Sequence, residues 1–113
     1  MLEVKIEQKD DIVQVTLSGP VDSATKDVFK DNLDPIFKNK GVKVVFDCEN
    51  LTYMNSRALG LLSSYRRRCY VNGGRLALCN LNTKIVRTMD LLGLGKLLKR
   101  YDSLDEAYEA MRS

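Results

Sequence analysis

Asn55-Ser56-Arg57 is the stretch with the widest chemical scope in this chain: an amide, a hydroxyl and a guanidinium in succession. Just upstream, Val44-Val45-Phe46 is a short apolar run between Lys43 and Asp47. Such a run predicts a strand buried on both faces. Glu49, Asn50 and Thr52 then predict a loop. Downstream, Ala58, Leu61, Leu62, Tyr65 and Cys69 recur at steps of three and four, the stripe of a helix that begins at Arg57. Asn55 or Ser56 supplies the side-chain oxygen that caps it. A hydroxyl is thus expected where a central strand hands over to a helix N-terminus. Unpaired N–H donors and the positive end of the helix dipole gather there and favour anions. A phosphate on Ser56 would bring about −1.5 to −2 charges into that field, so the fold accepts it without opening. The plainer reading is a cap worth about 1 kcal/mol.

Other chemistry is excluded by what the sequence lacks. There is no histidine, which removes the commonest general base. Cys48, Cys69 and Cys79 form no Cys-x-x-Cys pair, so no zinc site is expected. Each adjoins apolar residues and reads as a small buried hydrophobe. Gly73-Gly74 lacks the Lys-Ser/Thr that follows in a phosphate-binding loop. The protein is expected not to be an enzyme, and to need no cofactor and no metal.

The net charge of +3 is too small to argue for nucleic acid. Its one concentration is Arg66-Arg67-Arg68. Three consecutive helical residues span about 200°, so the triplet reads as a solvated outer face rather than a flat patch. With 44% apolar and 29% charged residues, the 113-residue chain has the composition of one ordinary globular domain, residues 1–113. No apolar run approaches the roughly 18 residues of a membrane span, and Met-Leu-Glu-Val-Lys lacks the layout of a signal peptide. A cytoplasmic location is expected, with no membrane contact and no direct nucleic-acid contact.

The elements that position Ser56 follow in order. Val4 and Ile6, then Val13, Val15 and Leu17, alternate with polar residues around Gln8-Lys9-Asp10-Asp11, which predicts a hairpin of half-buried strands. Gly19-Pro20 ends the second strand. Asp22 or Ser23 caps a helix with Val28, Phe29, Leu33, Ile36 and Phe37 inward. Pro35 predicts a kink or break near Leu33–Asp34. After the Ser56 helix, Asn72-Gly73-Gly74 is the stop and Arg75 to Cys79 the fourth strand. Asn82 caps a third helix with Ile85, Val86, Met89 and Leu92 inward, closed by Gly93. Leu97-Leu98 is a candidate edge strand. Ser103-Leu104-Asp105-Glu106 is a capping box that opens a last helix. The order β-β-α-β-α-β-α-(β)-α predicts an α/β fold, a mixed four- to five-stranded sheet carrying about four helices.

Four collinear segments resemble the STAS domain, and within it the small bacterial anti-sigma factor antagonists. The strongest is Val44-Val45-Phe46-Asp47 through Leu51, followed by Tyr53-Met54-Asn55-Ser56-Arg57-Ala58-Leu59-Gly60. Gly19-Pro20-Val21-Asp22 with Thr25, Asn72 to Leu76, and Val86 to Leu94 agree in order and spacing. The resemblance implies a protein that binds an anti-sigma factor serine kinase and frees a sigma factor. It implies Ser56 as the phosphorylation site and a serine phosphatase that resets it. The implied partner-binding residues are Asp22, Asn55, Ser56, Arg57 and Leu59. The chain departs from the family motif at Asn55, where aspartate is usual, at Arg57, where a small residue is usual, and at Ala58, where glycine is usual. A STAS adaptor that is never phosphorylated, docked on a transporter ATPase or another signalling complex, is the alternative that the same resemblance allows.

Overall fold

The structure is a computed structural model that describes residues 1–112. Strand β1 (Glu3–Lys9) returns as β2 (Ile12–Val21) through Asp10-Asp11, with Asp10 at a left-handed φ of 55°. This turn sets an antiparallel register from Glu3 opposite Ser18 to Lys9 opposite Ile12. Helix α1 (Lys26–Phe37) carries the chain to β3 (Lys43–Met54), which lies parallel to β2. Helix α2 (Ser56–Val71) leads to β4 (Arg75–Cys79), helix α3 (Thr83–Leu91) to β5 (Lys99–Tyr101), and α4 (Leu104–Arg112) closes the described chain. The five strands stand in sequence order, and all pairs after the first are parallel.

The central strands β2, β3 and β4 are buried on both faces, and the alternation of side chains along them divides the core. Val15, Leu17, Val44, Phe46, Leu76 and Leu78 pack under α1, α2 and α3, against Phe29, Leu33, Leu62, Tyr65 and Met89. Ile12, Val45, Ala77 and Cys79 face the other way, onto Ala107, Tyr108 and Met111 of α4. Strand β2 is therefore buried on two sides and not half-buried as its pattern predicted. Gln14 points into the smaller core at 4% exposure. It is tolerated because the Tyr108 hydroxyl donates to its Oε1 at 2.7 Å and its own amide donates to Thr16 Oγ1 at 3.3 Å.

Strand β3 runs to Met54 instead of giving way to a loop at Glu49, because β2 continues beside it to Val21 through two register shifts. In this half Glu49, Asn50, Thr52 and Tyr53 are exposed, and only Leu51 and Met54 turn inward. For the same reason Gly19-Pro20 does not end β2. Gly19 has φ +95°, and a Cβ at that position would meet the Met1 carbonyl oxygen at 2.5 Å. Helix α1 runs unbroken through Pro35, which sits in its last turn. There the missing N–H removes a single terminal bond, while Ile36 and Phe37 stay packed in the core. Val28 and Leu92, expected inward, are both 46% exposed. The edge strand starts at Lys99, beyond Leu97-Leu98, because Leu98 is drawn wholly into the core.

Candidate functional site

Parallel pairing of β2 with β3 places their C-terminal ends side by side, so the β2–α1 and β3–α2 turns meet. Asn55 N–H donates to the Val21 carbonyl at 3.0 Å and ties the two turns together. Within the first turn, Asp22 Oδ1 accepts the N–H groups of Ala24 at 3.0 Å and Thr25 at 3.1 Å. The Thr25 hydroxyl accepts from Asp22 N–H at 3.0 Å and donates to the Pro20 carbonyl at 2.9 Å. Asp22 is thereby committed to shaping the turn. It organises the approach to α1 rather than capping the helix itself, whose N-cap position is Thr25.

The cap of α2 is Asn55. Its backbone is extended, at φ −78° and ψ 171°, and its Oδ1 accepts the Ala58 N–H at 2.9 Å. Ser56 is the first helical residue, and its hydroxyl has no hydrogen-bond partner among the described residues. Ser56 and Arg57 are both exposed. Their backbone N–H groups belong to the first turn, which has no intrahelical acceptor. A free hydroxyl therefore stands at the positive end of a 16-residue helix.

Leu59 does not join this surface. It is wholly buried in the main core with Ala58 and Leu62, because the inward face of α2 runs through Ala58, Leu59, Leu62, Tyr65 and Cys69 while Leu61 is only half-buried. A groove of about 350 Å³ opens between α1 and α2, lined by Asn55 and Arg57 on either side of Ser56 in the sequence. Phe29, Ala58 and Leu61 supply apolar walls, and Lys26, Lys30, Arg57 and Asp22 stand around it. Lys30 is paired with Asp34 at 3.4 Å, whereas Lys26 and Arg57 are in no ion pair among the described residues. Lys26 and the groove were not legible in the sequence. No local pattern links residues 26 and 57, and only the parallel register of β2 with β3 brings them together.

The remaining chemical groups are structural. All three cysteines are free and buried. Burial pushes the Cys69 thiol up to about 11 and the Cys79 thiol up to about 12, and raises Cys48 further still. None is a reactive thiolate near neutrality. Among the described residues no group of three His, Cys, Asp or Glu side chains is placed to hold a metal. No described helix is long and apolar enough to cross a membrane. The arginine triplet divides: the Arg66 guanidinium lies over the Tyr70 ring at 4.2 Å, while Arg67 and Arg68 are exposed.

A mixed five-stranded sheet with three helices on one face, one on the other, and a capped helix N-terminus at the parallel strand ends defines an α/β domain class. Comparison makes it specific: the STAS domain family model matches residues 3–107, and the chain belongs to that family. A protein of Paenibacillus polymyxa named anti-sigma F factor antagonist is 28% identical over 103 residues, covering 90% of this chain and 88% of its own. The anti-sigma-B factor antagonist of Bacillus subtilis is 26% identical over 97 residues, covering 86% and 88% respectively. The crystal structure of an anti-sigma factor antagonist from Mycobacterium paratuberculosis has the same fold, with a TM-score of 0.90 at 21% identity. That match covers 100% of this chain and 96% of the other.

Proposed function

We propose that this protein is an anti-sigma factor antagonist, a cytoplasmic regulator rather than an enzyme. It binds a kinase-type anti-sigma factor and is switched by phosphorylation of Ser56. The observation that carries the reading is the division of labour at the start of α2: Asn55 makes the capping bond to Ala58, and Ser56 is left exposed with no structural bond to lose. The names of the relatives, each an anti-sigma factor antagonist, give the partner class. A serine phosphatase completes the cycle, as the family resemblance implies.

The docking face consists of Asp22, Asn55, Ser56 and Arg57 with the adjoining groove. A specific interface needs about 800 Å² per partner, roughly an eighth of the 6466 Å² surface. A phosphate at its centre would have to be stripped of water, and it would face the partner's own nucleotide phosphates. Phosphorylation therefore dissociates the complex. Arg57 adds an exposed cation to the same helix turn, a favourable neighbour for a phosphate.

Titration calorimetry against the cognate kinase tests the reading. Ser56→Ala should bind as the unmodified protein does, and Ser56→Asp should bind more weakly. Equal affinities would remove the switch and leave a STAS adaptor that docks constitutively.

A further inference from the structure

Strand β1 is one edge of the sheet, with β2 on one side only. Its odd-numbered residues, Glu3, Lys5, Glu7 and Lys9, lie opposite Ser18, Thr16, Gln14 and Ile12. They therefore share the α4 face of the sheet. Its even-numbered residues, Val4, Ile6 and Gln8, share the other face, and Ile6 is 44% exposed. Helix α4 lies on the face of the sheet, over β2 to β5, and no described strand pairs with the outer edge of β1.

The sequence of this edge, Glu-Val-Lys-Ile-Glu-Gln-Lys, complements itself in one antiparallel register. With Ile6 opposite Ile6 of a second copy, Lys5 falls opposite Glu7 and Glu3 opposite Lys9. Each of these pairs occurs twice by symmetry. All four charge pairs are attractive, and the half-exposed isoleucines meet on the axis. Shifting the register by two residues breaks this match, since Lys5 then faces Lys5 or Lys9. Lysines on an edge strand ordinarily repel a second sheet; here every lysine finds a glutamate.

We propose that β1 is the interface of a symmetric homodimer, paired antiparallel about Ile6 with a second copy of this chain into one ten-stranded sheet. Opposed residues of an antiparallel pair share a face, so the two-fold axis is perpendicular to the sheet and α1, α2 and α3 of both copies lie on the same side. The parallel strands of the two copies run in opposite directions, so the two Ser56 surfaces point to opposite ends and both stay free. The dimer is thus independent of the phosphorylation switch.

Sedimentation velocity over a range of protein concentrations tests this, with far-UV circular dichroism to show that each variant is folded. The wild type should move from monomer to twice that mass as concentration rises. Lys5→Glu places glutamates opposite each other twice and should weaken association roughly tenfold. Adding Glu7→Lys recreates the opposite-charge pairs and should restore it. A wild type that stays monomeric throughout would overturn the proposal. So would a Lys5→Glu variant that associates as well as wild type, or a double variant as weak as Lys5→Glu alone.

Discussion

Asn55 Oδ1 accepts the Ala58 N–H at 2.9 Å, and Asn55 N–H reaches back to the Val21 carbonyl at 3.0 Å. One residue thus caps α2 and fastens it to the end of β2. Asn55→Ala should cost about 1 kcal/mol in urea denaturation, while Asn55→Asp keeps the acceptor and should change little. Ser56→Ala should stay within about 0.5 kcal/mol of wild type, because the hydroxyl makes no bond among the described residues. Ser56→Asp adds a negative charge in the first turn and should stabilise by about 0.3–1 kcal/mol. A destabilised Ser56→Asp would show that the fold resists charge at this position.

The Tyr108 hydroxyl and Gln14 Oε1 form a buried hydrogen bond at 2.7 Å that locks α4 to the sheet. Tyr108→Phe leaves the Gln14 oxygen unpaired and should cost about 1–3 kcal/mol. Adding Gln14→Leu removes the stranded acceptor and should recover part of that loss. A double-mutant cycle by chemical denaturation reads the coupling.

Two glycines should respond in opposite directions. A Cβ at Gly74 would collide with the Val42 carbonyl oxygen, so Gly74→Ala must shift the segments entering β3 and β4 and should lower the thermal midpoint. Gly60 lies inside α2, and a Cβ there meets nothing within 4 Å. Gly60→Ala should therefore raise stability by about 0.8–1 kcal/mol through helix propensity. Thermal melts of the two variants check both signs.

Stability should fall at both ends of the pH scale. The hydrogen bond from the Tyr65 hydroxyl, opposed by partial burial and helped by Lys30, holds the Asp34 carboxyl below its usual 3.8. A depressed folded value stabilises above pH 3.8, and that contribution is lost as pH falls through the folded value. Burial raises the thiols of Cys69 and Cys79 from 9.0 to about 11 and about 12. A raised folded value leaves stability intact below pH 9 and erodes it as pH climbs toward the folded values. Tyr65→Phe should flatten the acid limb, measured as denaturation midpoint against pH, and Cys69→Ala the alkaline limb.

The layer architecture was legible because it rests on strong periodic signals. The apolar run at Val44–Phe46, the stop at Asn72-Gly73-Gly74 and the caps Asn82 and Ser103 all stand where their local chemistry places them. Asn82 Oδ1 accepts the Ile85 N–H, and the Leu94 N–H closes the end of α3 on the Met89 carbonyl. What escaped depends on distant partners. The polar second half of β3 is a strand only because β2 runs alongside it. Strand β5, Lys-Arg-Tyr, has no apolar alternation to announce it. At the site, the sequence left the cap open between Asn55 and Ser56, and the backbone geometry assigns it to Asn55. Leu59, which the family resemblance implied as a partner-binding residue, is instead wholly buried on the inward side of α2.

The most direct test is to incubate the protein with its cognate kinase and ATP, map the modified residue by mass spectrometry, and measure binding of the modified and unmodified forms. One phosphate is expected, on Ser56, with a modified form that no longer holds the kinase. A phosphate on another residue, a bare Ser56, or unchanged affinity after modification would contradict the switch.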